Sequence, residues 1–129
     1  MDPGETAVGA ALREAREEIG LDPALPEVIG ALPPVYTTVS SILVVPFVAV
    51  VAELPMFQVS GAEIDQLVVL PVGDLAAVEA EVSWELPDGG TWRGWVYESG
   101  GITVWGATGR MVHDLLDVMR KEAPWLTLP

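Results

Sequence analysis

Apolar residues recur at helical spacing near the start of the chain. Val8, Ala11, Leu12, Ala15 and Ile19 form one stripe and predict a helix over residues 7–19. Gly20 follows where a C-terminal glycine cap belongs. Between residues 22 and 34 the prolines Pro23, Pro26, Pro33 and Pro34 interrupt any period, so this stretch is mostly connection, with a short strand near Glu27–Gly30. Residues 39–53 (VSSILVVPFVAVVAE) are β-branched and apolar on both faces, the pattern of a buried strand, in which Pro46 must sit at a bulge or an edge. Residues 66–70 (QLVVL) predict another strand, followed by a turn into a short helix over Val72–Ala77. Val82–Leu86 and Thr91–Tyr97 flank Pro87-Asp88-Gly89-Gly90, a hairpin signal. A turn at Glu98–Gly101 leads to a short strand, Ile102–Trp105. A last helix spans about Ala107 to Glu122, with Met111, Val112, Leu115, Leu116 and Met119 on its buried face and Pro124 barring its continuation. Helix, strands, then helix is the order of a mixed sheet with helices packed on it, α/β or α+β in class.

Composition narrows the setting. The 129 residues suit one domain, 1–129, and half of them are apolar, which argues against disorder. The longest apolar stretch, Ile42–Ala52, falls short of the roughly 20 residues that a spanning helix needs. Met1-Asp2-Pro3-Gly4-Glu5 is no secretory signal, and the absence of cysteine removes disulfides, thiolate metal sites and thiol catalysis. A cytoplasmic protein is expected. Nineteen acidic residues face six basic ones, a formal net charge of −13. Such a body repels nucleic-acid backbones and anionic membranes, so neither is an expected partner. A phosphate-bearing ligand would need local help from a divalent cation or from a few placed arginines.

The chemistry concentrates in residues 5–21, ETAVGAALREAREEIGL. Glu14, Glu17 and Glu18 stand three and four residues apart, so their carboxylates crowd one helix face. Like charges at that spacing destabilise a bare helix by a few tenths of a kcal/mol per pair. A hard divalent cation gives a reason to gather them. A solvated face, with Arg13 paired to Glu17 at i,i+4, accounts for the same residues.

Glu5, seven residues, then Arg13-Glu14-Ala15-Arg16-Glu17-Glu18-Ile19-Gly20-Leu21 resembles the Nudix box of the Nudix hydrolases, with Ala15 taking the aliphatic position. The leading glycine of that box would fall before Met1. The resemblance therefore implies a Nudix-like α/β/α sandwich with a mixed sheet, missing its N-terminal strands. Gly30-Ala31-Leu32-Pro33-Pro34-Val35-Tyr36-Thr37, the stretch Val45-Pro46-Phe47-Val48, and Val104-Trp105-Gly106-Ala107-Thr108 look like the coenzyme A pyrophosphatase branch.

Carried over position by position, the resemblance makes Glu14, Glu17 and Glu18 the ligands of Mg²⁺ or Mn²⁺, with Glu14 also a candidate for activating water. Arg13 would orient these carboxylates with Glu5 as its partner, Gly20 would let the chain turn after the helix, and Glu63 best matches a further acidic residue from later in the fold. The implied reaction is hydrolysis of a nucleoside diphosphate-linked small molecule, with coenzyme A giving 3′,5′-ADP and 4′-phosphopantetheine. Another nucleoside diphosphate derivative, or a non-catalytic binding module or homodimer closing an open sheet edge, are the alternatives. Outside the box, His113 is expected to be structural or on the surface. Trp84, Trp92 and Trp95 are expected to pack in a core or interface, with stacking on an adenine as the alternative. Arg93 and Arg110 are surface cations or phosphate contacts.

Overall fold

A computed structural model describes residues 2–37, 41–61 and 66–122. In chain order the elements are α1 (Ala7–Ile19), β1 (Glu27–Ala31), β2 (Val35–Thr37), β3 (Ile42–Val44), β4 (Phe47–Val50), α2 (Val72–Val78), β5 (Ala80–Glu85), β6 (Thr91–Ser99), β7 (Ile102–Val104) and α3 (Gly106–Glu122). The class is α+β, as the order of elements predicts. The strands form the ladders β1-β4, β2-β3 and β5-β6-β7. Among the described residues every pair is antiparallel, and no helical crossover, which a parallel pair requires, separates any two paired strands. No helix among the described residues is long and apolar enough to cross a membrane. The chain forms two compact units, residues 1–31 with 47–69, and residues 32–46 with 70–129.

The first unit is organised by α1. Thr6 caps its start, the hydroxyl oxygen accepting from Gly9 N–H at 3.0 Å. Of the helix, Ala10 is buried, while Ala11 of the predicted stripe is exposed. Gly20 ends the helix in the left-handed region (φ 69°), with its N–H donating to Arg16 O at 3.0 Å. The segment around Gln58 then docks on the helix end. Gln58 N–H donates to Ile19 O (2.8 Å) and Ser60 N–H to Glu18 O (2.9 Å), so carbonyls that the helix leaves without partners are satisfied. In this unit β1 pairs with β4, and the register shifts between Val28 and Gly30.

In the second unit, Tyr97 of β6 and Leu116 of α3 are fully buried, beside Leu75 and Ala76 of α2. Of the predicted α3 face, Met111, Val112, Leu115 and Met119 are half-buried. Glu79, between α2 and β5, ties this core together. Tyr97 O–H donates to Glu79 Oε2 at 2.6 Å, His113 Nδ1 lies 3.2 Å from the same oxygen, and Arg120 Nη1 donates to Oε1 at 3.1 Å. The His113 ring also stacks on Trp95 at 3.8 Å, so this histidine is structural. Burial opposes the Glu79 charge, but the bonds from Tyr97 and His113 and the Arg120 charge outweigh it and hold the carboxyl below its ordinary value. Burial, then the bond to Glu79, pushes the Tyr97 phenol far upward.

Two predicted strands come out differently. The run 39–53 is divided into β3 and β4 at Val45–Pro46, because Pro46 has no N–H to continue a ladder, although its carbonyl accepts from Leu32 N–H at 2.8 Å. Nor is the run buried: Ile42 and Leu43 are 55% and 60% exposed. Residues 66–70 form no strand, and Leu70 instead packs on the core of the second unit. Residues 39 and 40 lie outside the described residues.

Two expectations follow from these contacts. A Cβ added at Gly20 would lie 3.0–3.1 Å from Gln58 Cβ, N and O, besides occupying left-handed backbone. Gly20→Ala is therefore expected to lose more than the roughly 1–2 kcal/mol of the backbone conformation alone, measured by urea unfolding; unchanged stability would contradict this packing. For Glu79, a folded-state pKa below the ordinary 4.5 means stability that is complete above that value and lost as the pH falls below it. Glu79→Gln should cost about 1–3 kcal/mol at neutral pH. The difference from wild type should shrink towards pH 3, and a difference constant with pH would count against the network.

Candidate active site

The chemistry-bearing residues of the box sit on α1 and the turn before it. That segment becomes a helix because alanine, arginine and glutamate dominate it and because Thr6 and Gly20 close its two ends. Its geometry centres on Arg13. Arg13 Nε donates to Glu5 Oε2 at 2.8 Å and Nη2 donates to Glu5 Oε1 at 3.2 Å, a two-pronged pair. Nη1 donates to both oxygens of Glu17, at 3.3 and 3.1 Å. Asp2 Oδ2 lies 3.3 Å from Nε, and Glu14 Oε1 lies 3.9 Å from Nη2. One guanidinium thus stands within ion-pair distance of four carboxylates.

Burial grades these contacts. The Glu5 side chain is 17% exposed and Arg13 30%, whereas Glu14 and Glu17 are 57% and 61% exposed. The Arg13–Glu5 pair is the fixed part of the cluster, and the two outer glutamates are open to solvent. The Arg13 hydrogen bonds, with one from the Asp2 backbone N–H, hold the Glu5 carboxyl below its ordinary value. Glu5, then Glu17, in turn raise the Arg13 guanidinium, which stays charged throughout.

The sequence-predicted residues Glu5, Arg13, Glu14 and Glu17 are therefore brought together. Glu18 is half-buried on the same helix, and its side chain makes no hydrogen bond or ion pair among the described residues. Gly20 supplies the turn expected of it. Glu63 lies outside the described residues. Two contributors escape the sequence reading. Thr6 carries a local signal, a hydroxyl residue immediately ahead of an apolar-periodic run. Asp2 carries none, since it reaches Arg13 through the fold of the chain ahead of the helix, where Gly4 takes a φ of 76°.

The donor set is chemically suited to a hard divalent cation: carboxylate oxygens, accessible to water, with no competing nitrogen or sulfur ligand. Among the described residues no three acidic or histidine side chains converge on one point. Glu17 is turned onto Arg13 rather than towards Glu14 and Glu18, and at its exposure a rotation away from Arg13 meets little packing resistance.

Comparison with known proteins bears on the same segment. The model of the NUDIX domain matches residues 1–90. The chain is similar to an uncharacterized Nudix hydrolase, NudL, of Escherichia coli (strain K12), 30% identical over 118 residues that cover 88% of this chain and 59% of that protein. It is likewise similar to the uncharacterized Nudix hydrolase NudL of Klebsiella pneumoniae (strain 342), 29% identical over 114 residues, 85% of this chain and 57% of that protein. The chain spans somewhat less than three fifths of the length of these relatives. With that domain matched over residues 1–90 of 129, an interval holding all of α1, the chain belongs to the Nudix family.

Proposed function

We propose that this chain hydrolyses a pyrophosphate link in a nucleoside diphosphate derivative, with coenzyme A as the substrate and 3′,5′-ADP and 4′-phosphopantetheine as products. The observation that carries the reading is the Arg13 cluster. A chain at −13 places four carboxylates around one arginine on a helix whose opposite side is apolar. A merely solvated face does not call for the half-buried, two-pronged Arg13–Glu5 pair.

In this reading Glu14, Glu17 and Glu18 hold Mg²⁺ or Mn²⁺, which when bound offsets the diphosphate charge and lowers the pKa of water. The rest falls to the chain itself. Arg13, anchored by Glu5, draws the outer glutamates towards one side of the helix and partly offsets their mutual repulsion. Glu14, which approaches Arg13 only at 3.9 Å, is the candidate to accept a proton from water. Attack on phosphorus asks for positioning and electrostatics rather than a covalent nucleophile, in keeping with a chain that has no cysteine. The coenzyme A assignment is supported by the stretches Gly30–Thr37, Val45–Val48 and Val104–Thr108. The cytoplasm is the proposed compartment. The exposed Ile42 and Leu43 of β3 support a homodimer, which sedimentation as a monomer would contradict.

The test is mass spectrometry of coenzyme A incubated with this chain and Mg²⁺ or Mn²⁺, wild type against Glu17→Gln. Both products should appear with wild type, and the rate should fall on the order of a hundredfold in the variant. Cleavage at the wild-type rate by Glu17→Gln would remove the role given to that glutamate. Cleavage of other nucleoside diphosphate derivatives but not of coenzyme A would keep the reaction and change the substrate.

A further inference from the structure

The last turn of α1 is held from two sides. From the helix's own chain, the N–H groups of Gly20 and Leu21 donate back to Arg16 O and Ala15 O at 3.0 and 3.4 Å. The carbonyls of Glu18 and Ile19 are met by a segment from much later in the sequence. Ser60 N–H donates to Glu18 O at 2.9 Å and Gln58 N–H to Ile19 O at 2.8 Å. The backbone of Gln58 also lies so close that a Cβ at Gly20 would stand 3.1 Å from its N and O.

Electrostatics make this end of the helix a poor place for carboxylates. A helix C-terminus carries partial negative charge, which favours cations and disfavours anions in the last turn. Glu17 and Glu18 occupy that turn with Arg16 as its one basic residue, in a chain at −13. Burial does little to hold them, since Ala10, the buried residue of α1, lies in its first half. The N–H groups of Gln58 and Ser60 bring the positive ends of two dipoles to the carbonyls where this negative charge collects.

We propose that the Gln58–Ser60 segment is a positioning element of the cation site on α1, with Ser60 as the residue that sets Glu18. The Glu18 side chain makes no hydrogen bond or ion pair among the described residues, so the direction of its carboxylate follows from its backbone. The Ser60 N–H fixes that backbone at the carbonyl. Fraying of the last turn would carry Glu17 and Glu18 away from Glu14. The inference rests on the reading of α1 as a cation-binding helix. Coupling of this kind is reciprocal: a segment whose docking favours the cation must itself be held more tightly, by the same factor, when the cation binds.

The test has two arms on the full chain. In wild type, hydrogen exchange of the Gln58 and Ser60 amides is followed by nuclear magnetic resonance with and without Mg²⁺. Their protection should rise about fivefold or more, and by a larger factor than that of the β6 amides, which report general stabilisation by a ligand. Protection unchanged by Mg²⁺, or raised equally in β6, overturns the proposal. In the second arm, Mn²⁺ affinity is measured by electron paramagnetic resonance for Ser60→Pro, which lacks the N–H, and Ser60→Ala, which keeps it. Ser60→Pro should bind Mn²⁺ about fivefold or more weakly, and Ser60→Ala as wild type does. Equal affinities in wild type and Ser60→Pro, or equal losses in the two variants, overturn the proposal. Should Ser60→Pro fail to fold, the exchange arm still decides. Failure in either arm leaves the reading of α1 standing where wild type binds Mn²⁺ and the binding is lost on changing Glu14, Glu17 and Glu18 to glutamine. A wild type that binds no Mn²⁺ overturns both.

Discussion

A permanently charged guanidinium among carboxylates is the constraint on which the candidate site depends. Asp2, Glu5, Glu14 and Glu17 would repel one another on any scaffold, and more so in a chain with nineteen acidic residues and six basic ones. Arg13 makes their proximity tolerable, and it does so asymmetrically. The half-buried Glu5 takes the two-pronged bond and fixes the arginine, while the exposed glutamates stay adjustable. An anchored arginine is thus paired with outer carboxylates that solvent reaches freely.

The helix that carries this cluster is secured at its ends more than along its length, since Ala10 is its one buried residue among those described. Thr6 satisfies a donor at the start, while Gly20 and the Gln58–Ser60 segment satisfy acceptors at the finish. The second unit is built the other way. Its polar network is partly buried around the fully buried Tyr97, and Glu79 joins β6 to α3 through Tyr97, His113 and Arg120. The two networks each place arginine against carboxylate, one to hold charges at a surface and the other to hold a core together.

How much was legible follows from how local each determinant is. The bounds of α1 can be read from its apolar period and Gly20, because helix caps and i,i+4 pairs are encoded within one turn. The β5–β6 hairpin can be read from Pro87-Asp88-Gly89-Gly90, where Gly89 does take a φ of 88°. The Glu5–Arg13 partnership was implied by the family motif, and the structure brings the two together. The structure departs from the sequence pattern where apolar, β-branched composition is not matched by strand pairing or burial. Residues 39–53 and 66–70 have the β-branched character of inner strands, yet Pro46 breaks the first and the second runs without regular structure to α2. Glu79 and Asp2 had no local signal, since their partners are brought by tertiary contacts that sequence spacing does not encode. Trp84, Trp92 and Trp95 are visible as a group, but only the fold separates Trp95, stacked on His113, from Trp84 and Trp92, stacked on each other.

On the proposed reading, α1 is a cation-binding helix rather than a solvated one. Titration of the full chain with Mn²⁺, followed by electron paramagnetic resonance of the unbound ion, tests it without reference to any substrate. At least one class of sites well tighter than the diffuse binding expected of an acidic surface should appear, and be lost when Glu14, Glu17 and Glu18 are all changed to glutamine. Equal Mn²⁺ affinity and stoichiometry in wild type and the triple variant would contradict it.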